Sequence, residues 1–421
     1  MSMRSLLLFV LMSLCSVTGW AAYLLVPMDQ SQTNHLKAYG LTYWILSQEV
    51  EVEWLLNYRG GAFLFKQVGV FEQELRIRGI SYEVISDAEA VQIKETIGQP
   101  DKNMDVVKLE VPPTVAVYSP KSKQPWDDAV TLVLTYAEIP YEMIFDDEVL
   151  GGELTKYDWL HLHHEDFTGQ YGKFYRSYAG YKWYQDQQKE YEESARKHGF
   201  AKVSQLKLAI VKRIREYCAG GGFLFAMCSA TDTYDIALAA EGIDICAPIY
   251  DGDPADPAAN TKLDYTNTFA FHKFQLKMNP LEYEYSDIDN QPSERGLSEE
   301  NDYFQLFQFS SKWDPIPTML TQNHVRQIKG FMGQTTGFKK SLVKPDVLIL
   351  GEAKSIGEAR YIHNTFGKGF WTFYGGHDPE DYRHYVDEPP TDLNLHPNSP
   401  GYRLILNNIL FPAARKKKRK T

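Results

Sequence analysis

Cys228 closes the run Gly220-Gly221-Gly222-Phe223-Leu224-Phe225-Ala226-Met227 and is followed by the small residues Ser229 and Ala230. A short apolar run after a glycine stop reads as a buried strand, and a helix is predicted to open within four residues of the cysteine. A sulfur at such a turn meets the positive end of the helix, which favours thiolate over thiol. Backbone N–H groups at the same turn could stabilise an oxyanion. A cysteine nucleophile needs a base, and the base needs an orienting group. His377 is the candidate base, because it follows a second strand, residues 370–374, and two glycines that permit close approach. Glu380 or Asp378 could accept its ring N–H and hold its tautomer.

A second constellation is His161-Leu162-His163-His164-Glu165-Asp166. On a strand His161 and His163 share a face, and His164, Glu165 and Asp166 lie at the strand's carboxyl end. His163, His164 and Glu165 could bind zinc or another divalent ion with a position open for water. The same residues could instead shape a polar pocket without metal.

These groups need a sheet whose strand ends converge. Short runs apolar on both faces recur at residues 114–118, 141–145, 157–162, 223–227 and 346–350, and helical patterns at 126–137 and 205–217 separate several of them. That alternation predicts an α/β fold with a doubly wound, mostly parallel, flavodoxin-like sheet. Reactive groups gather at the carboxyl ends of parallel strands, which would bring Cys228, His377 and the His-rich strand end together. Residues 22–110 read as a separate small N-terminal α/β unit. The sheet domain spans 113–412, with a polar helical insertion at 167–203 and a loop-rich insertion at 247–340. A hairpin is predicted over 359–374 around Gly367-Lys368-Gly369, with a closing helix over 401–410.

The order strand–Cys228–helix, then Gly367-Lys368-Gly369, an aromatic strand and His377-Asp378-Pro379-Glu380, resembles the class I glutamine amidotransferase superfamily over residues 113–412. The hairpin and closing helix look like its trehalose-utilisation (ThuA-like) branch. The resemblance implies a glutamine amidotransferase-like fold and a thioester route to carboxamide hydrolysis, with Cys228 as nucleophile, His377 as base and Glu380 as orienting acid. The stretches Pro27-Met28-Asp29, Asn34–Gly40 and Asn57-Tyr58-Arg59-Gly60-Gly61 are similar to exported bacterial proteins labelled asparagine synthetase B. True asparagine synthetases carry a cysteine at the mature N-terminus and a Ser-Gly-Gly-x-Asp-Ser nucleotide loop, and neither is expected here.

The chain has 421 residues, 43% of them hydrophobic and 14% aromatic, enough for a full core and more than one domain. A formal charge of −11 argues against general nucleic-acid binding. The N-terminus has signal-peptide anatomy over residues 1–21: Arg4, an uncharged apolar stretch over 5–17, then Gly19-Trp20-Ala21. A periplasmic or secreted protein is expected. Its removal would leave Cys218, Cys228 and Cys246, an odd number, so at least one thiol stays unpaired within a chain. The basic tail at 413–421 reads as a solvated end, with docking on anionic lipid as its alternative and the one route to membrane contact. Three functional readings follow. The leading one is an exported hydrolase attacking an amide or acyl bond of a small molecule, glycan or peptide through Cys228. The others are a metal-dependent hydrolase using the His-rich strand end, and a non-catalytic carbohydrate- or peptide-binding protein.

Overall fold

The computed structural model describes residues 22–122, 124–162, 164–290 and 292–414. The expected signal peptide and the basic run from Arg415 therefore lie outside the described residues. Among the described residues, no helix is long and apolar enough to cross a membrane.

The N-terminal unit is an antiparallel sheet of β1 (Ala22–Val26), β2 (Val52–Leu56), β3 (Ala62–Lys66), β4 (Glu83–Ser86) and β5 (Asp105–Leu109), in the order β4-β1-β3-β2-β5. The β2–β3 connection is short because Asn57, Arg59, Gly60 and Gly61 all take positive φ. The helix His35–Ser47 joins this unit to the rest of the molecule. Its Tyr39 packs edge-on against Trp54 and Phe63, while the Tyr39 hydroxyl donates to Asn407 in the helix Pro400–Leu410. One apolar core runs through Leu24, Trp54 and Phe63 of the first sheet into Val117, Phe225 and Leu406 beyond it.

The second sheet holds β6 (Val115–Tyr118), β7 (Glu142–Ile144), β8 (Trp159–Leu162), β9 (Phe223–Met227), β10 (Tyr303–Leu306), β11 (Gln327–Lys329), β12 (Phe338–Lys339), β13 (Leu348–Ala353), β14 (Glu358–Phe366) and β15 (Gly369–Tyr374). Its order is β11-β10-β13-β14-β15-β9-β8-β6-β7, with β12 on β14. Strand faces alternate between two cores. Val115, Val117 and Phe225 meet the helices Ala129–Tyr136 and Pro400–Leu410. Ala116, Tyr118, Leu224 and Ala226 meet Val203–Gly220 and Ser229–Ala239.

The expected doubly wound, mostly parallel flavodoxin-like sheet is corrected here. The pairs β7–β6, β6–β8, β8–β9 and β9–β15 are parallel, but β15–β14, β14–β13, β13–β10, β10–β11 and β12–β14 are antiparallel. With the wholly antiparallel first sheet, the molecule is a mixed α/β protein. The reason lies in the connections. Helical crossovers return the chain in the same direction through β6–β9, whereas the tight turn at Gly367 forces β15 back along β14. A side chain is excluded at that turn, since a Cβ on Gly367 would stand 2.6 Å from the Ala219 carbonyl oxygen.

Candidate functional site

The parallel half of the sheet delivers Cys228 at the carboxyl end of β9. Its backbone has φ 54° and ψ −140°, and it caps the helix Ser229–Ala239. A non-glycine residue in this region costs roughly 1–3 kcal/mol and persists only where its surroundings enforce it. Those surroundings are a loop at 332–337. Gln334 N–H donates to Cys228 Sγ at 3.2 Å. Asp289 Oδ1 accepts from the N–H groups of Thr336 and Gly337 at 3.0 Å each, and Thr335 Oγ1 donates to Asp232 Oδ1 at 2.8 Å. The loop is pinned to the end of β15 by His377 N–H donating to Met332 O and Gly376 N–H donating to Thr335 O. Gly333 must be glycine, because a Cβ there would lie 2.8 Å from His377 N and 3.1 Å from Cys228 Sγ.

Two histidines flank the thiol. Ring nitrogens of His164 and His377 and Cys228 Sγ all lie within 4.8 Å of one another. His164 stacks on His377 at 4.1 Å between ring centroids, and His384 stacks on its far side at 3.7 Å. Asp127 closes the group: its Oδ1 is 3.6 Å from His377 Nε2 and 3.4 Å from His384 Nε2. Burial works to raise the Asp127 carboxyl, but attraction to the two imidazoles outweighs it and holds the group low. Burial works to lower His384, yet Asp381, Asp127 and Glu388 overcome it and raise the imidazole. A cavity of about 370 Å³ opens over Cys228, His164 and His377, walled by Trp126, Phe174 and Tyr283.

The structure thus brings Cys228 and His377 together and parts them from other candidates. Glu380 does not orient His377: it pairs with His396 Nδ1 at 3.0 Å. Asp378 folds its own turn, accepting from Glu380 N–H at 2.8 Å, and takes the hydroxyls of Tyr402 and Thr391 at 2.7 Å each. This tight turn carries Glu380 away from the ring. Glu165 also leaves the proposed metal set. It is buried past the strand end, accepting from Tyr191 at 2.8 Å and Lys207 at 3.1 Å, and burial pushes its carboxyl up to about 7. His163 lies outside the described residues. His161 is a core residue, bonded to Asp128 at 2.8 Å and the Phe225 carbonyl at 3.2 Å.

The expected thiolate is not favoured at rest. Burial pushes the Cys228 thiol up to about 11, against the opposing pull of the Thr335, Gln334 and Ser229 N–H groups. The helix end is present as expected, but desolvation of a buried anion outweighs it. Three participants escaped sequence reasoning: Asp127, His384 and the loop at 332–337. Asp127 was hidden one residue before the Asp128 helix cap, and His384 lies in an irregular turn. Its spacing to Asp381 and Glu388 was the available signal.

His/Cys/Asp groupings able to hold a metal ion are present: His164–Cys228–His377, Asp127–His377–His384, Asp244–Cys246–Asp251 and Asp381–His384–Glu388. No family model matches the chain, and no curated protein does. Among solved structures it is similar to Cytoplasmic Protein STM1381 from Salmonella typhimurium LT2, at 11% identity and TM-score 0.36, covering 72% of this chain and 99% of that one. It is also similar to Cytoplasmic Protein STM3548 from Salmonella typhimurium, at 11% identity and TM-score 0.34, covering 72% of this chain and 100% of that one.

Proposed function

We propose that this chain is an exported hydrolase that attacks an amide or related acyl carbon with the Cys228 thiol. The observation that carries the reading is the strained backbone of Cys228, which holds Sγ at a pocket floor within 4.8 Å of a ring nitrogen of His377. Strain of this kind is characteristic of nucleophile turns between a strand and a helix. The resemblance to glutamine amidotransferases belongs to the same proposal, with Asp127 taking the role that Glu380 cannot fill.

With the resting thiol near pKa 11, only about 1 in 10⁴ molecules carries a thiolate at neutral pH. The proton must therefore leave during attack. Sγ bonds to the carbonyl carbon as its proton passes to His377, and Asp127 offsets the imidazolium charge. The oxyanion is met by N–H groups around the sulfur. The C–N bond then breaks, the imidazolium proton goes to the leaving nitrogen, and a thioester remains. Water adds to the thioester with its proton taken by His377. The thiol is restored and a carboxylic acid released. Of the divalent ions, zinc suits donor sets of imidazole, carboxylate and thiolate best, and it is the ion to test. No step of this hydrolysis passes through it.

p-Nitrophenyl acetate tests the reading. Wild-type protein should release a burst of p-nitrophenolate stoichiometric with chain, and intact mass should show one acetyl group on Cys228. Cys228→Ser and His377→Ala should lose the burst. A wild-type protein that shows no burst and no acetyl adduct refutes the cysteine route.

A further inference from the structure

We propose that Asp127, His377 and His384 form a binding site for a divalent transition-metal ion, zinc before others, with no ligand from Cys228. Among the described residues, four side-chain groupings have donor atoms close enough to hold an ion, and their existing partners separate them. In Asp381–His384–Glu388, His384 Nδ1 already meets Asp381 at 3.2 Å and Glu388 at 2.7 Å. In Asp244–Cys246–Asp251, the Lys202 ammonium supplies the positive charge, and Cys246 Sγ donates to the Thr168 carbonyl at 3.3 Å. In His164–Cys228–His377, the sulfur already accepts from Gln334 N–H. Asp127 Oδ1, His377 Nε2 and His384 Nε2 are different: all three atoms are buried, and beyond their long approaches to one another at 3.4 and 3.6 Å none has a hydrogen-bond partner. The side chains are only 12%, 5% and 11% exposed. Buried polar atoms without partners are rare and costly, and three that point at one another mark a place for a missing ligand.

The spacing suits a four-coordinate ion. Metal–ligand bonds of about 2.0–2.1 Å in a tetrahedron set neighbouring donor atoms about 3.3–3.4 Å apart, against about 3.0 Å for adjacent donors in an octahedron. The two separations from Asp127 Oδ1 are 3.4 and 3.6 Å. Two imidazoles and one carboxylate leave a fourth position, and both histidines line the cavity. The outer shell is also in place. Carboxylates at His384 Nδ1 hold the proton on that nitrogen and leave the Nε2 lone pair for a metal, the arrangement common behind metal-bound histidines. One movement is required. The two rings stack at 3.7 Å with 11° between their planes, so their in-plane lone pairs do not yet meet. His384 is the ring that must tilt, since His377 is wedged between it and His164.

Zinc chloride and cobalt chloride are the probes, added separately to chelator-stripped full-length protein that is then desalted. One ion per chain by elemental mass spectrometry, with the visible absorption of four-coordinate Co²⁺, is the expected result. Cys228→Ser should keep the ion, while Asp127→Asn and His384→Gln should weaken binding at least tenfold with unchanged circular dichroism. Ring ¹⁵N shifts of His377 and His384 in wild-type protein should move on zinc addition, a readout that needs no variant to fold. Substoichiometric metal, unmoved ring shifts, retention in His384→Gln or loss in Cys228→Ser overturns the site. The acetylation burst, read on metal-free protein, tests the thiol chemistry separately.

Discussion

Cys228 should alkylate more slowly than an ordinary cysteine at pH 8, and its rate should climb with pH far beyond the usual plateau. Burial raises the thiol from 9.0 to about 11. At pH 8, below both values, two units mean about 100-fold less thiolate than an unperturbed thiol. The more basic thiolate is the better nucleophile, and a Brønsted coefficient of about 0.4–0.5 returns a factor of roughly 6–10. The net expectation is a rate about 10–15-fold below a free cysteine peptide, before any loss from restricted access. Iodoacetamide kinetics followed by intact mass, with Cys228→Ser to subtract the other cysteines, give the profile. The rate should rise about tenfold per pH unit up to about pH 10 and level only near 11. The same shift has a stability consequence. A thiol whose folded pKa lies above its unfolded value stabilises the fold fully below about pH 9, and that contribution is lost as pH rises from 9 towards 11. Two units correspond to roughly 3 kcal/mol, so the gap in urea stability between wild type and Cys228→Ser should narrow or invert over that window. A rate at pH 7 equal to or above that of the free peptide, with a plateau below pH 9, would refute the reasoning, because it requires a resting thiolate–imidazolium pair.

Gly333→Ala should abolish the acetylation burst while leaving the protein folded, since its Cβ would press on His377 N and Cys228 Sγ; overpacking of this kind destabilises by about 1–3 kcal/mol in urea titration. Lys207→Ala should destabilise by about 3–5 kcal/mol in the same assay, because it leaves buried Glu165 and Asp146 without their cation. The junction of the two sheets should weaken in acid. Burial, then the nearby Arg403 charge, lowers His35 to about 3 and His324 to about 4. An unfolded histidine takes its proton near 6.5 and the folded ones do not, so stability is full above that pH and falls as pH drops towards 4. His324→Asn should flatten the drop in melting temperature between pH 7 and pH 5.

Some of this site was written in short stretches of chain. The apolar run 223–227, the glycines before it and the small residues after it mark a strand that ends in Cys228, because side-chain period and turn chemistry act over a few residues. The β14–β15 hairpin is legible for the same reason, and a turn that tight makes antiparallel neighbours, which is why the sheet is mixed rather than parallel. Other features depend on chain segments that meet only after folding. Asp127 rather than Glu380 faces His377, since the Asp378 turn directs Glu380 towards His396. Glu165 looks like a ligand beside three histidines, yet Tyr191 and Lys207 claim it from two later helices. The loop at 332–337 has no periodicity, and its shape comes from Asp232 and Asp289 far away in sequence. Local order sets where a strand stops and what residue stands there. Which charge stands opposite it is decided by long-range packing, because desolvation and hydrogen bonding act between groups that only the tertiary fold makes neighbours.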